Sequence, residues 1–387
     1  MNSAPLDSGR TLAQRLAVQM QVHMPGTAGR LLKQLRDLEA IGPIFLQASL
    51  LRRIEKPHPL TVTAAGIATQ VVTQLIPEGF LYAATAARVD VSVQENVVAT
   101  TGEDSACEID DIDFEDQSKR FQLINVRQAY QLADAALRSP GRFDLILLDS
   151  PLILNRSMVP PGDDSAHAGY RGAYEQAMQA ISRFWEEHRD GLFPWNRQGT
   201  VVAGLASERF GAIVEIAQQD LRTPEGRGQV LATEGVDAVA LRDLLGSEQV
   251  IAGVGQRRFV NGILGHYART AAFRMNAHTP RMEPADVVTR GVLGFHFRAG
   301  TGTPPRLVQL VGDEPDWQRE DLDRLAGLVA ALTVVGGPRA APIPIQLADR
   351  EQDGLKRFLH SYTAAVHHDM EQKEVEDIWL SDLEEFS

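Results

Sequence analysis

The chain has 387 residues, 44% of them hydrophobic, so it is long enough to bury a large core. Its 51 acidic and 38 basic residues give a net charge of −13, which argues against a uniformly basic surface for DNA but not against a local basic channel. A single cysteine, Cys107, excludes an intramolecular disulfide and a cysteine-rich zinc site. With neither a secretory leader nor the ~18 apolar residues of a membrane span, we expect a cytoplasmic protein.

The N-terminal part is predicted to be helical. Apolar residues recur at helical spacing from Leu12 to Leu38 within residues 10–55. The pair Pro25-Gly26 is predicted to interrupt this pattern, because proline lacks the backbone donor that a helix needs. Residues 1–56 are therefore expected to form an N-terminal helical segment.

Residues 57–368 alternate predicted strands and helices. The predicted strands are 61–65, 80–93, 145–148, 200–205, 291–298 and 306–311. The predicted helices are 121–137, 174–188, 207–219, 317–332 and 352–367, with 236–245 helical or mixed. The acidic residues 103–116 are predicted to be a polar loop. This order predicts an α/β fold with a mixed sheet flanked by helices.

Asp149 is the first candidate functional residue. The four residues before it, Leu145 to Leu148, are all apolar, which predicts a strand buried on both faces that ends in one carboxylate. Such a carboxylate can be a metal ligand at a sheet end. Asp144 is five residues away in a strand-like run and is expected to face the other side. Ser150 is followed by Pro151 and has no identifiable base, so a turn is favoured over a nucleophile.

For the other motifs, a structural role is favoured over a functional one. The glycine-rich segments 252–255 and 299–305 lack the phosphate-loop pattern and are predicted to be turns. Adjacent His367 and His368, followed by Asp369, point about 100° apart on a helix, so a solvated helix end is favoured over a metal site.

Residues 369–387 form an acidic amphipathic tail in which Trp379, Leu383 and Phe386 fall at helical spacing. Such a tail can bind a groove on a partner, and these three residues are the predicted partner-binding side chains. It can also fold over a basic channel of its own chain, or be a frayed, solvated end.

From the Asp149 strand onward, four segments in order resemble the NurA family, nucleases that process DNA ends with the hexameric ATPase HerA. The segments are LILLDSPL at 145–152, VDAVALRDLLG at 236–246, GVLGFHFRAGTGTPPRLVQL at 291–310, and LDRLAGLVAALTVVGGPRAAPIPIQLADREQ at 322–352. With the preceding strand and helix, the resemblance covers about residues 60–365. It implies an RNase-H-like mixed sheet, a homodimer, DNA as substrate, and cleavage that depends on manganese or magnesium in active members.

The active positions of that family are replaced at several places. Ala65 stands where the resemblance places a metal-binding Asp, and Gln128 and Gln131 occur on the helix that should carry a Glu. The family's C-terminal Ala-His becomes Ala348 followed by Asp349. Only Asp149 matches.

Two functional hypotheses follow from the resemblance. In one, the chain is a catalytically degenerate subunit that serves a HerA-type complex as scaffold, DNA clamp or regulator. In the other, it is an active DNA nuclease that combines Asp149 with nonstandard carboxylates, Asp349 and Asp90 or Glu95. A third possibility is that only the fold is shared.

Overall fold

The structure is a computed structural model that describes residues 11–76, 79–154, 156–161, 167–206, 232–237, 240, 260, 262–275, 290–300, 303–334 and 340–372. Six α-helices lie in these ranges: α1 (Leu12–Gln47), α2 (Gln117–Arg138), α3 (Ala168–His188), α4 (Arg319–Leu332), α5 (Ile343–Arg350) and α6 (Leu355–Gln372). Ten strands accompany them: β1 (Leu51–Arg53), β2 (Val62–Ile76), β3 (Gly79–Gln94), β4 (Val97–Asp113), β5 (Leu145–Leu148), β6 (Val201–Ala206), β7 (Ala268–Thr270), β8 (Phe273–Met275), β9 (Val292–Arg298) and β10 (Arg306–Val311).

All ten strands belong to one sheet, in the order β1-β7-β9-β10-β6-β5-β2-β3-β4, with β8 also paired to β9. The short, fully buried β5 lies between β2 and β6 and is parallel to both. The other pairs are antiparallel. The predicted mixed sheet flanked by helices is therefore confirmed.

Strand β5 separates two hydrophobic layers. Ile146 and Leu148 pack with side chains of α2 and α3, whereas Leu145 and Leu147 pack with side chains of α4 and α5. Successive strand residues point to opposite faces, so a four-residue apolar run is what a strand covered on both faces requires. The buried apolar run that the sequence places before Asp149 thus has a structural role.

Helix α5 crosses β2 at very close range. A Cβ atom on Gly66 would lie 2.4 Å from the backbone carbon of Pro344 and 2.5 Å from the nitrogen of Ile345. Only glycine allows this approach, because both atoms belong to backbone that cannot move aside. The contact fixes α5 over the part of β2 that runs beside β5.

The prediction of a polar, acidic loop over residues 103–116 was wrong. Most of it belongs to β4, which pairs with β3 from Gln94↔Val97 to Gly79↔Asp113. The strand is at the sheet edge and largely exposed, so it lacks the alternation of apolar and polar residues that identifies a half-buried strand. Acidic side chains on such an edge oppose pairing with other chains.

The interruption predicted at Pro25-Gly26 was also wrong, since α1 continues through Pro25 and Pro43. Its C-terminal part is anchored by buried Leu38, Ile41 and Phe45, whereas its N-terminal part is exposed. The other predicted helices and strands within the described ranges are found with shifted ends. The predicted helix 207–219, most of 236–245 and the tail from 373 lie outside the described residues. None of the described helices is long and apolar enough to cross a bilayer.

Candidate functional site

Asp149 lies at the carboxyl end of β5. Its backbone N–H donates to the carbonyl oxygen of Ile67 at 2.8 Å, so the ladder between β5 and β2 continues to this residue. Its carboxylate is 34% exposed. The side chain thus emerges from the centre of the sheet into partial contact with solvent, as the sequence predicts for the end of a buried strand.

Arg306 supplies the charge opposite Asp149. It is the first residue of β10, and its Nη1 donates to Asp149 Oδ1 at 2.8 Å. The guanidinium is only 14% exposed. Because a charge-assisted hydrogen bond is stronger in partly buried surroundings, Asp149 already has a fixed cationic partner within its own chain.

The chain after Asp149 is held firmly. The N–H of Leu152 donates to Oε1 of buried Gln309 at 2.7 Å, and the hydroxyl of Tyr130 donates to the carbonyl oxygen of Leu152. Ser150 is buried, and its Oγ has no hydrogen-bond partner in the described part of the chain. The arrangement favours the turn predicted for Ser150 and fixes the backbone that carries Asp149.

Ala65 is buried in β2, where it pairs with Ile146 of β5 and with Asp90 of β3. The residue level with Asp149 in β2 is Ala68, because Ile67 pairs with Leu148. Ala68 is also buried. Strand β2 therefore offers no carboxylate at either position beside the Asp149 strand.

The two glutamines of α2 point in different directions. Gln128 is buried against the sheet, with Nε2 3.5 Å from the carbonyl oxygen of Ala84 and with Oε1 lacking a hydrogen-bond partner among the described residues. Gln131 is exposed. Ala84 pairs with Val71, six residues along β2 from Ala65, which is roughly 20 Å at strand spacing. Neither glutamine replaces a ligand beside Ala65.

Asp90 is buried in β3 and ion-paired with Arg88, whose Nε lies 3.2 Å from Asp90 Oδ1. Burial raises the pKa of the Asp90 carboxyl, against the opposing effect of Arg88. The β2–β3 and β2–β5 registers place Asp90 two strands away from β5 and three residues from the level of Asp149, roughly 14 Å between Cα atoms. The structure therefore does not bring Asp90 to Asp149.

Asp349 lies half-buried on α5, one residue after buried Ala348. The same helix crosses β2 at Gly66, and the Gln352 side chain that follows it donates to the carbonyl oxygen of Ala68 at 3.2 Å. Since Ala68 is level with Asp149, α5 carries Asp349 over the strand adjacent to Asp149. Of the predicted partner carboxylates, Asp349 is the one that this topology places on the β5 side of the fold.

Two groups among the described residues bring three metal-ligand atoms within 4.8 Å of one another: Glu115, Asp116 and His167, and Asp134, Glu187 and His188. Neither contains a predicted site residue. Arg138 and Arg183 already hold the carboxylates of the second group in ion pairs. These groups bring together residues up to 54 positions apart, so the local patterns used in the sequence analysis did not identify them.

Arg306 was also missed by the sequence analysis. The Pro-Arg pair before an apolar strand was visible at 305–306, but its reach to Asp149 depends on β10 pairing with β6, which lies beside β5. The predicted partner-binding residues Trp379, Leu383 and Phe386 lie outside the described residues.

No family model and no curated protein matches this chain. Among solved structures, the NurA nuclease from Sulfolobus solfataricus has a TM-score of 0.53 at 13% identity, over 92% of this chain and 97% of that one. The chain has the NurA fold. A structure of NurA with manganese (12% identity, covering 90% and 98%, TM-score 0.40) and an endonuclease V from Bacillus subtilis (12%, 82% and 91%, 0.36) are also similar. The resemblance to NurA that the sequence indicates is confirmed at the level of the fold.

Proposed function

We propose that this chain is a NurA-like subunit of a DNA-processing complex, with a HerA-type hexameric ATPase as partner, and that its catalytic centre is degenerate. It then acts as a scaffold, DNA clamp or regulator. The observation that carries the proposal is the ion pair between Asp149 and Arg306 at the place where the sequence resemblance puts a metal ligand.

Metal chemistry explains why this pair matters. Two-metal cleavage of a phosphodiester needs several carboxylates that converge on ions about 4 Å apart. Here the matching carboxylate has an arginine as its counter-charge, and alanines occupy β2 beside it. Glutamine, as at Gln128, lacks the charge that holds a hard cation. The residues present therefore do not fit a two-metal centre.

An active nuclease is the second candidate, and Asp349 is the observation that favours it. A Mn²⁺ or Mg²⁺ ion could be held only if Asp149 released Arg306 and a second carboxylate came from α5. Arg306 would then be available for a phosphate group.

Two further assignments, DNA as ligand and a homodimer as the assembly, rest on the NurA resemblance. We propose the cytoplasm as location because a single cysteine suits a reducing compartment. Residues 57–368 form the NurA-like domain of this proposal, preceded by the helical segment 1–56 and followed by the tail 369–387. The net charge of −13 means that any DNA surface must be a local concentration of basic side chains, so DNA affinity should fall steeply with salt.

Fluorescence anisotropy with labelled linear DNA tests the DNA-binding part. A degenerate subunit should bind equally well in manganese and in EDTA, and Asp149→Asn should bind like the wild type. Asp144→Asn, at the opposite end of β5, is the matched control. Binding that disappears in EDTA, or in Asp149→Asn alone, would contradict a metal-independent clamp. Failure to co-elute with a HerA-type hexamer would remove the proposed partner.

A further inference from the structure

A groove of about 1120 Å³ opens at the amino ends of β2, β5 and β6. These three strands are parallel neighbours, so their amino ends lie at the same edge of the sheet. Val62, Leu145 and Val201, the first residues of the three strands, line the groove. It is therefore at the opposite end of β5 from Asp149, and its volume suits an extended ligand rather than a small molecule.

Five basic side chains line the groove, and they come from separate parts of the chain. Arg53 ends β1 and Lys56 follows it, Arg142 precedes β5, Arg197 precedes β6, and Arg324 belongs to α4. All five are exposed. In a chain with a net charge of −13, this convergence is a local concentration of positive charge.

The groove also contains carboxylates, from Glu55, Asp144, Asp321 and Asp323. Asp323 Oδ1 lies 2.6 Å from Nη2 of buried Arg269, which is not part of the lining, so its charge is compensated from outside the groove. Asp144 accepts a backbone N–H at 2.8 Å. The five cations are thus opposed by three carboxylates, and the groove keeps an excess of positive charge.

Several of the cations are held by neutral groups. Nη2 of Arg142 donates to the carbonyl oxygen of Gln198, and Nζ of Lys56 lies 4.2 Å from the centroid of the Tyr267 ring. Across the described ranges, no carboxylate is within ion-pair distance of Arg53, Lys56 or Arg142. A cation fixed by a carbonyl or a ring keeps its charge for a ligand, and phosphate groups are the anions that Arg and Lys most often bind in nucleic acids.

Arg197 adds a flat surface to the groove. Its Nη1 and Nη2 donate to the carbonyl oxygens of Asp316 and Pro315 at 2.6 and 3.0 Å, and its Cζ lies 5.4 Å from the centroid of the Phe193 ring. Asp321 is 3.6 Å from Nη1, and the Arg197 side chain is 57% exposed. A guanidinium that is fixed and exposed in this way can stack with an unpaired nucleobase.

We propose that this groove binds a single strand of nucleic acid, with Arg53, Lys56 and Arg142 on its phosphates and a base stacked on Arg197. A duplex keeps its bases stacked inside and cannot use Arg197 in this way. The inference rests on the proposed DNA function and adds to it a site that contains no residue of the Asp149 centre. Strand binding here therefore needs no metal ion.

Fluorescence anisotropy of the full-length chain with a labelled single strand of about 12 nucleotides, in EDTA, tests the phosphate contacts. Lys56→Gln combined with Arg142→Gln should weaken binding about tenfold and lower the slope of log affinity against log salt by about 1.4, or ~0.7 for each cation. Lys356→Gln combined with Arg357→Gln is the matched control. It removes the same charge from exposed positions of α6 and should leave affinity and slope unchanged.

Arg197→Lys tests the stacking contact, because it keeps the charge and removes the flat guanidinium. It should weaken binding of the strand at least about fivefold without changing the salt slope. An abasic strand of the same length should bind Arg197→Lys and the wild type equally. Free dCMP at the same nucleotide concentration should not displace the strand, because it offers only one phosphate.

Far-UV circular dichroism checks that each variant folds. If Lys56→Gln with Arg142→Gln and Arg197→Lys both bind the strand like the wild type, the groove is not the site, although a DNA clamp could still use another surface. A wild type that binds neither strand nor duplex would instead remove the proposed DNA function itself. Displacement by dCMP would overturn the proposal, since a free nucleotide would then be the ligand.

Discussion

The two ends of β5 carry the same residue type in different surroundings. At the amino end, Asp144 Oδ2 accepts the backbone N–H of Thr63 at 2.8 Å, and the side chain is exposed. At the carboxyl end, the Asp149 carboxylate meets the guanidinium of Arg306. Asp144 therefore ties one strand to its neighbour, whereas Asp149 forms a charged centre with a residue 157 positions away.

The role of a strand-end aspartate is therefore decided by the residues that reach it across the sheet. A groove of about 1120 Å³ lies at the Asp144 end, lined by side chains of both charges that include Arg142, Arg197 and Asp321. At the Asp149 end, α5 packs closely on β2, and Gln309 and Tyr130 hydrogen-bond the loop that follows Asp149. The close packing, the hydrogen-bonded loop and the residues that resemble NurA therefore occur together at the carboxyl end of β5.

The largest expected effect concerns His296, which lies on β9 opposite Leu307, one residue from Arg306. Burial lowers its pKa from 6.5 to about 3. The folded protein keeps this imidazole neutral, so its contribution to stability is present above pH 6.5 and is lost as the pH falls towards 3. In urea unfolding, lowering the pH from 6.5 to about 4.5 should cost on the order of 3 kcal/mol through this group.

His296→Leu should remove that part of the pH dependence, while the control His266→Leu, at an exposed position, should retain it. An unchanged acid dependence in His296→Leu would contradict a buried neutral imidazole on β9.

The next prediction compares how tightly the chain packs near the two ends of β5. Gly66→Ala should destabilise the fold by about 3 kcal/mol, because the new methyl group meets the backbone of α5. Gly141→Ala, on the amino side of β5, has open space around its added methyl and should change stability by less than about 1 kcal/mol. The free energies of unfolding in urea measure both. Equal values would mean that α5 does not press on β2.

The smallest effect concerns the ion pair itself. Arg306→Ala should cost about 1 kcal/mol, since Asp149 keeps partial access to water. It should also allow Mn²⁺ to raise the melting temperature, and the double variant Arg306→Ala with Asp149→Asn should abolish that rise. Asp144→Asn should give no manganese response. A wild-type protein that responds to Mn²⁺ as strongly as Arg306→Ala would contradict the role assigned to Arg306.

The sequence predicts β5 and its burial well, because four apolar residues between polar ends have few alternative structures. It fails for β4, whose acidic edge position hides the strand pattern. Of the residues in the candidate site, the sequence identified only Asp149. Its partner Arg306 depends on strand order, and the separation of Asp90 from Asp149 depends on register, neither of which a local pattern contains.

Cleavage of labelled linear DNA by the full-length chain, with Mn²⁺ and with the HerA-type ATPase present, is the decisive experiment on the degenerate centre. With Arg306 bound to Asp149, we predict no cleavage above the rate seen in EDTA. Manganese-dependent cleavage that is lost in Asp149→Ala and retained in Asp144→Ala would contradict the degenerate centre and identify an active nuclease.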